Sequence, residues 1–250
     1  MSTIVAGVEA VSRRIADVAQ RVGRQADEIT VVAVTKTHPL ETVIEGYRAG
    51  LRHFGENRAP EGRDKAAAMA DWLATNRDDD PAHWHFIGHI QSRQVGTILA
   101  GNFVLVHSVD SLKLARRLDR LAERDNYPPT RILLQCNLSG EGTKSGFSLH
   151  DWLNNEVQLS TFLDTLEQIA SMKNVVVQGL MTMAPLTGDP EDARPVFRSM
   201  AALKERLQTE MPHIDWHHLS MGMTDDFEVA IEEGATIVRI GRAIFGERRE

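Results

Sequence analysis

The stretch Ile29-Thr30-Val31-Val32-Ala33-Val34-Thr35-Lys36 decides how the chain is read. Its centre, from Val31 to Val34, is apolar at every position rather than at alternate ones. Such a run suits a parallel strand covered on both faces; a strand with one wet face alternates instead. Working outward, further strand candidates lie at 53–56, 84–87, 103–109, 132–138, 175–183, 216–220 and 236–240, several of them apolar throughout, with the first spanning 29–36. Helical patterns lie between them, as at 41–49, 111–124, 157–172, 191–210 and 225–233. Ahead of them all, Ile4, Val5, Val8, Val11, Ile15, Val18 and Val22 recur at helical spacing up to Gly23. Eight strands alternating with helices in 250 residues predict an α/β fold, a (β/α)8 TIM barrel with an extra N-terminal helix. The rival, an open doubly wound sheet, would carry G-x-G-x-x-G after its first strand, and that fingerprint is absent. The expected organisation is one barrel domain over 1–250, with 1–23 as a helix packed on it.

Composition narrows the function. Lys and Arg total 28 against 35 Asp and Glu, a net charge of -7, which argues against the basic face a nucleic acid requires. No run approaches the ~20 apolar residues of a membrane span, and the N-terminus lacks the apolar core of a signal peptide. Cys136 is the only cysteine, so no intramolecular disulfide forms. A cytoplasmic protein without membrane or nucleic-acid partners is expected. Asp78, Asp79, Asp80 and Pro81 read as a solvated loop. His83, His85 and His89 lack the further ligands that zinc would need, so no metal is expected and His85 is read as a barrel residue.

Two places carry candidate chemistry. Lys36 falls in phase with Val32 and Val34, because side chains two apart share a strand face. If those valines point into the barrel, Lys36 emerges at its C-terminal mouth, where barrel active sites lie. A lysine above an apolar layer is partly desolvated, which lowers its pKa and frees a neutral amine to form a Schiff base with an aldehyde. The plainer alternative is a strand-end lysine reaching water. The second place joins Ser220-Met221-Gly222-Met223-Thr224-Asp225-Asp226 to Arg239-Ile240-Gly241-Arg242. Barrels frequently bind phosphate between the loops after strands seven and eight. Ser220 offers a hydroxyl, Gly222 and Gly241 allow close backbone approach, and Arg239 faces the same way as Gly241. Tight-turn chemistry and a rim ion pair would account for the same residues individually. Together, a lysine, a phosphate cup and a cationic partner for a ring nitrogen are the fittings of a pyridoxal 5'-phosphate site. A permanently charged guanidinium at the ring nitrogen would make that cofactor a poorer electron sink.

The ordered strings Val34-Thr35-Lys36, His53-Phe54-Gly55-Glu56-Asn57, Trp84-His85-Phe86-Ile87-Gly88-His89-Ile90-Gln91, Lys144-Ser145-Gly146-Phe147, Gly179-Leu180-Met181-Thr182-Met183, Leu219-Ser220-Met221-Gly222-Met223, Val238-Arg239-Ile240-Gly241 and Ile244-Phe245-Gly246 span the chain. With them the sequence resembles the YggS/PROSC pyridoxal phosphate homeostasis proteins, which in turn resemble the N-terminal barrel of alanine racemase. The resemblance implies Lys36 as the Schiff-base lysine and Ser220, Gly222 and Gly241 as phosphate contacts. It implies Arg239 as partner of the pyridine nitrogen, Asn57 as a ring-lining residue and Met183 as a packing contact. Arg242 stands where other members carry Thr, and His38 where some have a second lysine. Alanine racemases continue into a β-domain whose tyrosine acts as second base, whereas here the only tyrosines are Tyr47 and Tyr127. The resemblance implies a monomeric, non-catalytic protein that holds pyridoxal phosphate and releases it, with apo forms of enzymes using that cofactor as recipients. An amino-acid racemase is the alternative, and an aldolase-type Schiff-base barrel without cofactor a third.

Overall fold

The computed structural model describes residues 2–247, so the expected domain limits at 1 and 250 lie outside the described residues. Helix α1 (Thr3–Arg21) precedes an alternation of β1 (Thr30–Val34), α2 (Leu40–Arg48), β2 (His53–Glu56), α3 (Ala59–Asn76), β3 (His83–Phe86), α4 (Val95–Ala100) and β4 (Leu105–Val109). It continues with α5 (Leu112–Asp125), β5 (Thr130–Asn137), the two-residue β6 (Phe147–Ser148), α6 (Glu156–Ala170), β7 (Val175–Met181) and α7 (Arg194–Glu210). The last elements are β8 (His218–Ser220), α8 (Phe227–Glu232), β9 (Ile237–Ile240) and α9 (Arg242–Phe245). The strand order β4-β3-β2-β1-β9-β8-β7-β5 is closed by β4 pairing with β5, every pairing is parallel, and β6 hangs on β5. This is an eight-stranded parallel barrel ringed by helices.

The strand pattern sorts side chains into two layers. Val32, Leu105, Leu133, Met181 and Ile237 form a small cluster inside the barrel, while the alternate residues Ala33, Phe54, Val106 and Leu134 join the larger core under the helices. Gly55 makes room within: a Cβ there would lie 2.8 Å from Cγ1 of Val32. Strand β1 ends at Val34, and β7 at Met181, so Lys36 and Met183 stand on the connections just beyond rather than on the strands themselves. That correction follows from the turn at Thr35–His38, where the His38 amide donates to the Thr35 carbonyl (3.0 Å).

Helix α1 is capped by Ser2, whose hydroxyl accepts from the Ile4 amide, and it buries Ile4, Val8, Val11, Ile15 and Val18. It packs against α8 and α9. Gly7 permits this approach, since a Cβ there would meet the Ile244 carbonyl at 2.6 Å. Arg14 adds a bidentate pair with Glu228 and lies over the Phe227 ring, 4.4 Å from its centroid. The acidic loop after α3 is anchored rather than merely solvated: Asp80 pairs with Arg52, and its carbonyl accepts from the Tyr47 hydroxyl at 2.7 Å. Among the described residues no helix is long and apolar enough to cross a membrane.

Candidate functional site

The C-terminal mouth of the barrel gathers the loops after each strand. Arg239 pairs in register with Val32, and like Ile237 two residues earlier it points into the barrel. Only 5 % of its surface remains exposed. Its guanidinium donates to Ser220 Oγ at 2.7 Å and to the Thr182 carbonyl at 3.0 Å, both neutral acceptors. Burial pushes its pKa down to about 10, opposed by the charge of Asp226, so the group stays cationic at neutral pH. A fixed cation therefore sits at the floor of the mouth.

Beneath it runs a chain of imidazoles. His107 Nδ1 lies 2.9 Å from Ser220 Oγ, His107 Nε2 lies 2.9 Å from His85 Nδ1, and His85 Nε2 lies 2.9 Å from His53 Nδ1. The chain climbs from the start of β2 across β3 and β4 and crosses the barrel interior to β8. Each ring in it can be neutral with the same tautomer, each passing one N–H to the next. Burial drives His85 and His107 well below the ordinary histidine range and His53 down to about 4. His85 is thus a barrel residue, paired with its own kind; among the described residues no group of three His, Cys, Asp or Glu is arranged to hold a metal.

The remaining candidates divide between the two sides of the mouth. On one side, Lys36 lies in the turn after β1 and is half-buried. Asn57 follows β2, the strand paired with β1, and its Oδ1 is buried without a hydrogen-bond partner. Gly88 holds Asn57 in place: a Cβ there would lie 2.1 Å from the Asn57 carbonyl oxygen. On the other side, Ser220 is fully buried with its hydroxyl engaged by Arg239 and His107. Gly222 adopts φ +94 and its missing Cβ would meet Ala230 Cβ at 2.6 Å, so the loop can close onto α8 only with glycine. Asp226 fastens that loop by accepting from the Met223 amide at 2.6 Å. Gly241 opens the short α9, and a Cβ there would make only ordinary contact with Val34 of β1, at 3.5 Å, so protein packing alone does not demand glycine. Arg242 turns away to Asp225 and Glu247, tying the loop after β8 to the loop after β9. Met183 is partly exposed at the rim, and its carbonyl accepts from the Lys144 ammonium at 3.4 Å.

The sequence reading missed Thr182, His107, Glu56 and Lys65. The Thr182 carbonyl orients Arg239 through a backbone atom that carries no residue signature. His107 becomes visible only once β8 is brought across the barrel from β4.

The model for the alanine racemase N-terminal domain matches residues 8–249. The pyridoxal phosphate homeostasis protein of Pseudomonas aeruginosa is 40% identical over 248 residues, covering 99% of this chain and 97% of that protein. PipY of Synechococcus elongatus PCC7942, solved with PLP bound, superposes with a TM-score of 0.75 at 31% identity, over 94% of this chain and 100% of that one. Alanine racemase of Clostridium difficile 630 superposes at TM-score 0.65 with 10% identity, over 95% of this chain and 56% of that one, a likeness of fold alone. An eight-stranded parallel barrel matched over residues 8–249 by that model is the barrel of the alanine racemase N-terminal class. Within that class, the chain belongs to the family of pyridoxal phosphate homeostasis proteins.

Proposed function

We propose that this chain binds pyridoxal 5'-phosphate at the mouth of the barrel, holds it through Lys36 and releases it, serving the supply of that cofactor rather than a reaction upon it. The observation that carries the reading is Arg239, a buried cation backed by two neutral acceptors. Such a group gains most from a partner presented at the open side of the mouth. The orphaned Asn57 Oδ1 also fits a ligand that supplies a donor. Bound pyridoxal phosphate supplies an aldehyde carbonyl that condenses with a primary amine. The chain's own residues do the rest. Lys36 offers the amine from the turn after β1, and Asn57 and Met183 line the ring. Gly222 and Gly241 would bring backbone toward the phosphate, Arg242 braces the loops after β8 and β9, and Ser220 holds the Arg239 guanidinium that would meet the ring nitrogen. The permanent charge of Arg239 opposes protonation of that nitrogen, which favours holding over catalysis.

The tyrosines support the same choice. Two-base racemisation needs a proton donor opposite the lysine. Tyr47 closes α2 and donates to the Asp80 carbonyl, and Tyr127 follows α5; both lie at connections leading into strands, at the end of the barrel away from the mouth. We further propose that the chain works as a monomer in the cytoplasm and that enzymes lacking their pyridoxal phosphate are its recipients. Titration of the purified protein with pyridoxal 5'-phosphate is expected to produce a yellow absorbance band that Lys36→Ala abolishes or alters. Cα-proton exchange assays across the amino acids are expected to show no turnover. An unchanged band in Lys36→Ala, or robust exchange by the wild type, would overturn the reading.

A further inference from the structure

The peptide groups on both sides of Lys36 are gripped from outside the barrel by one helix. Lys65 of α3 donates from Nζ to the Thr35 carbonyl at 2.8 Å, the residue before Lys36. Glu61 of the same helix accepts the Thr37 amide at 2.9 Å, the residue after it. The two grips are joined, since Lys65 Nζ also lies 2.8 Å from Glu61 Oε1. Below them Glu56, at the end of β2, accepts from Lys65 at 2.8 Å and from the Thr35 hydroxyl at 2.7 Å. Thr37 itself stands at φ +69, in the left-handed region that a β-branched residue enters only when its surroundings hold it there.

This trio is costly for a merely structural device. The Lys65 side chain is 11% exposed and that of Glu56 0%. An ion pair so far from water roughly offsets its own desolvation, and apolar residues of the same size would pack as well. Glu56 Oε2 is buried without a partner besides. Gly62 is spent on bringing α3 close enough, for a Cβ there would lie 2.9 Å from the Glu56 Cβ. What apolar packing would not supply is a directed hold on two specific backbone groups, the pair that brackets Lys36.

We propose that Lys65 and Glu61 are positioning residues for Lys36: they lock the Thr35–Thr37 backbone so that the lysine enters the mouth in one orientation. This rests on the role given to Lys36 above. Lys65 acts on the outer side of the turn, through carbonyl and carboxylate oxygens, and does not itself take the ligand. Displacing an attacking group by about an ångström costs roughly a hundredfold in rate, so a loosened turn should register in the speed of capture before it registers in the fold.

The test is stopped-flow capture of pyridoxal 5'-phosphate by wild type, Lys65→Met, Glu61→Ala and Lys65→Arg, with circular dichroism and thermal unfolding to confirm folding. Borohydride reduction and peptide mapping then locate the adduct. Lys65→Met and Glu61→Ala are expected to capture roughly tenfold to a hundredfold more slowly at Lys36 and to shift or broaden the absorbance band, with partial rescue by Lys65→Arg. Glu61 is a quarter exposed, so Glu61→Ala decides the matter alone if Lys65→Met does not fold. Folded variants with wild-type capture rates and spectra would overturn the positioning role while leaving Lys36 in place. A wild type that never modifies Lys36 would remove the binding proposal, and this one with it.

Discussion

Arg239 shows how one side chain's surroundings set its chemistry. A guanidinium in direct contact with a carboxylate would be neutralised; here the hydrogen bonds go to Ser220 Oγ and the Thr182 carbonyl, and Asp226 acts only through space. Ser220 therefore serves Arg239 from beneath, while the phosphate contact proposed for its loop falls to Gly222. Ser220→Ala removes an acceptor from a buried cation and a partner from His107, an expected cost of about 1–3 kcal/mol in unfolding free energy. Denaturant unfolding should show that loss together with weaker retention of pyridoxal phosphate on gel filtration. Unchanged stability and retention would mean the Ser220 hydroxyl is dispensable. Arg239→Glu should instead let the bound ring protonate, visible as an altered spectrum and new side reactions with amino acids. Strand phase, readable two residues at a time, turns Arg239 into the barrel in register with Val32, whereas Lys36 falls on the turn beyond β1, where phase no longer applies. It could not reveal that Ser220 is committed to Arg239 and His107, because that contact joins strands 113 residues apart.

Among the elements, α1, α8 and α9 form a brace behind the loops proposed to hold the phosphate. Their contact is set by Gly7, whose position against the Ile244 carbonyl leaves no space for a side chain. Gly7→Val is expected to push α1 off α9, lowering stability by about 1–3 kcal/mol, with the loss of ligand retention following from movement of Gly241. Thermal unfolding with and without pyridoxal phosphate checks both parts; a variant as stable as wild type would show that α1 does not brace the site. The heptad-like valines of α1 and the strongly patterned α5 were legible from sequence. Helix α3 was not, because it buries little beyond Ala59, Gly62 and Met69 and so lacks an apolar stripe. The same helix carries Lys65 and Glu61, and its silence in the pattern hid their hold on the turn around Lys36.

For the whole molecule, the barrel interior gives up apolar packing along a diagonal in favour of histidine. His53, His85, His107 and His218 are all held below the ordinary histidine range by burial. They stay neutral in the folded chain but take up protons near pH 6.5 once unfolded. Stability should thus be level above pH 6.5 and fall as the pH drops from there toward about 4, where His53 itself titrates. Urea unfolding between pH 7.5 and 5 measures this, and His107→Asn should flatten the slope; a stability that holds level or rises on acidification would contradict it. The eight strands were legible from their alternation with helices, several of them as runs apolar at every position. The histidine diagonal was not, since His53, His85 and His107 come together only when the barrel closes. The central claim, that this closure exists to present one amine to pyridoxal phosphate, is tested most directly by borohydride reduction of the loaded protein followed by peptide mass spectrometry. A single stoichiometric pyridoxyl modification on Lys36 is expected; modification mainly on another lysine, or none at all, would overturn the binding proposal.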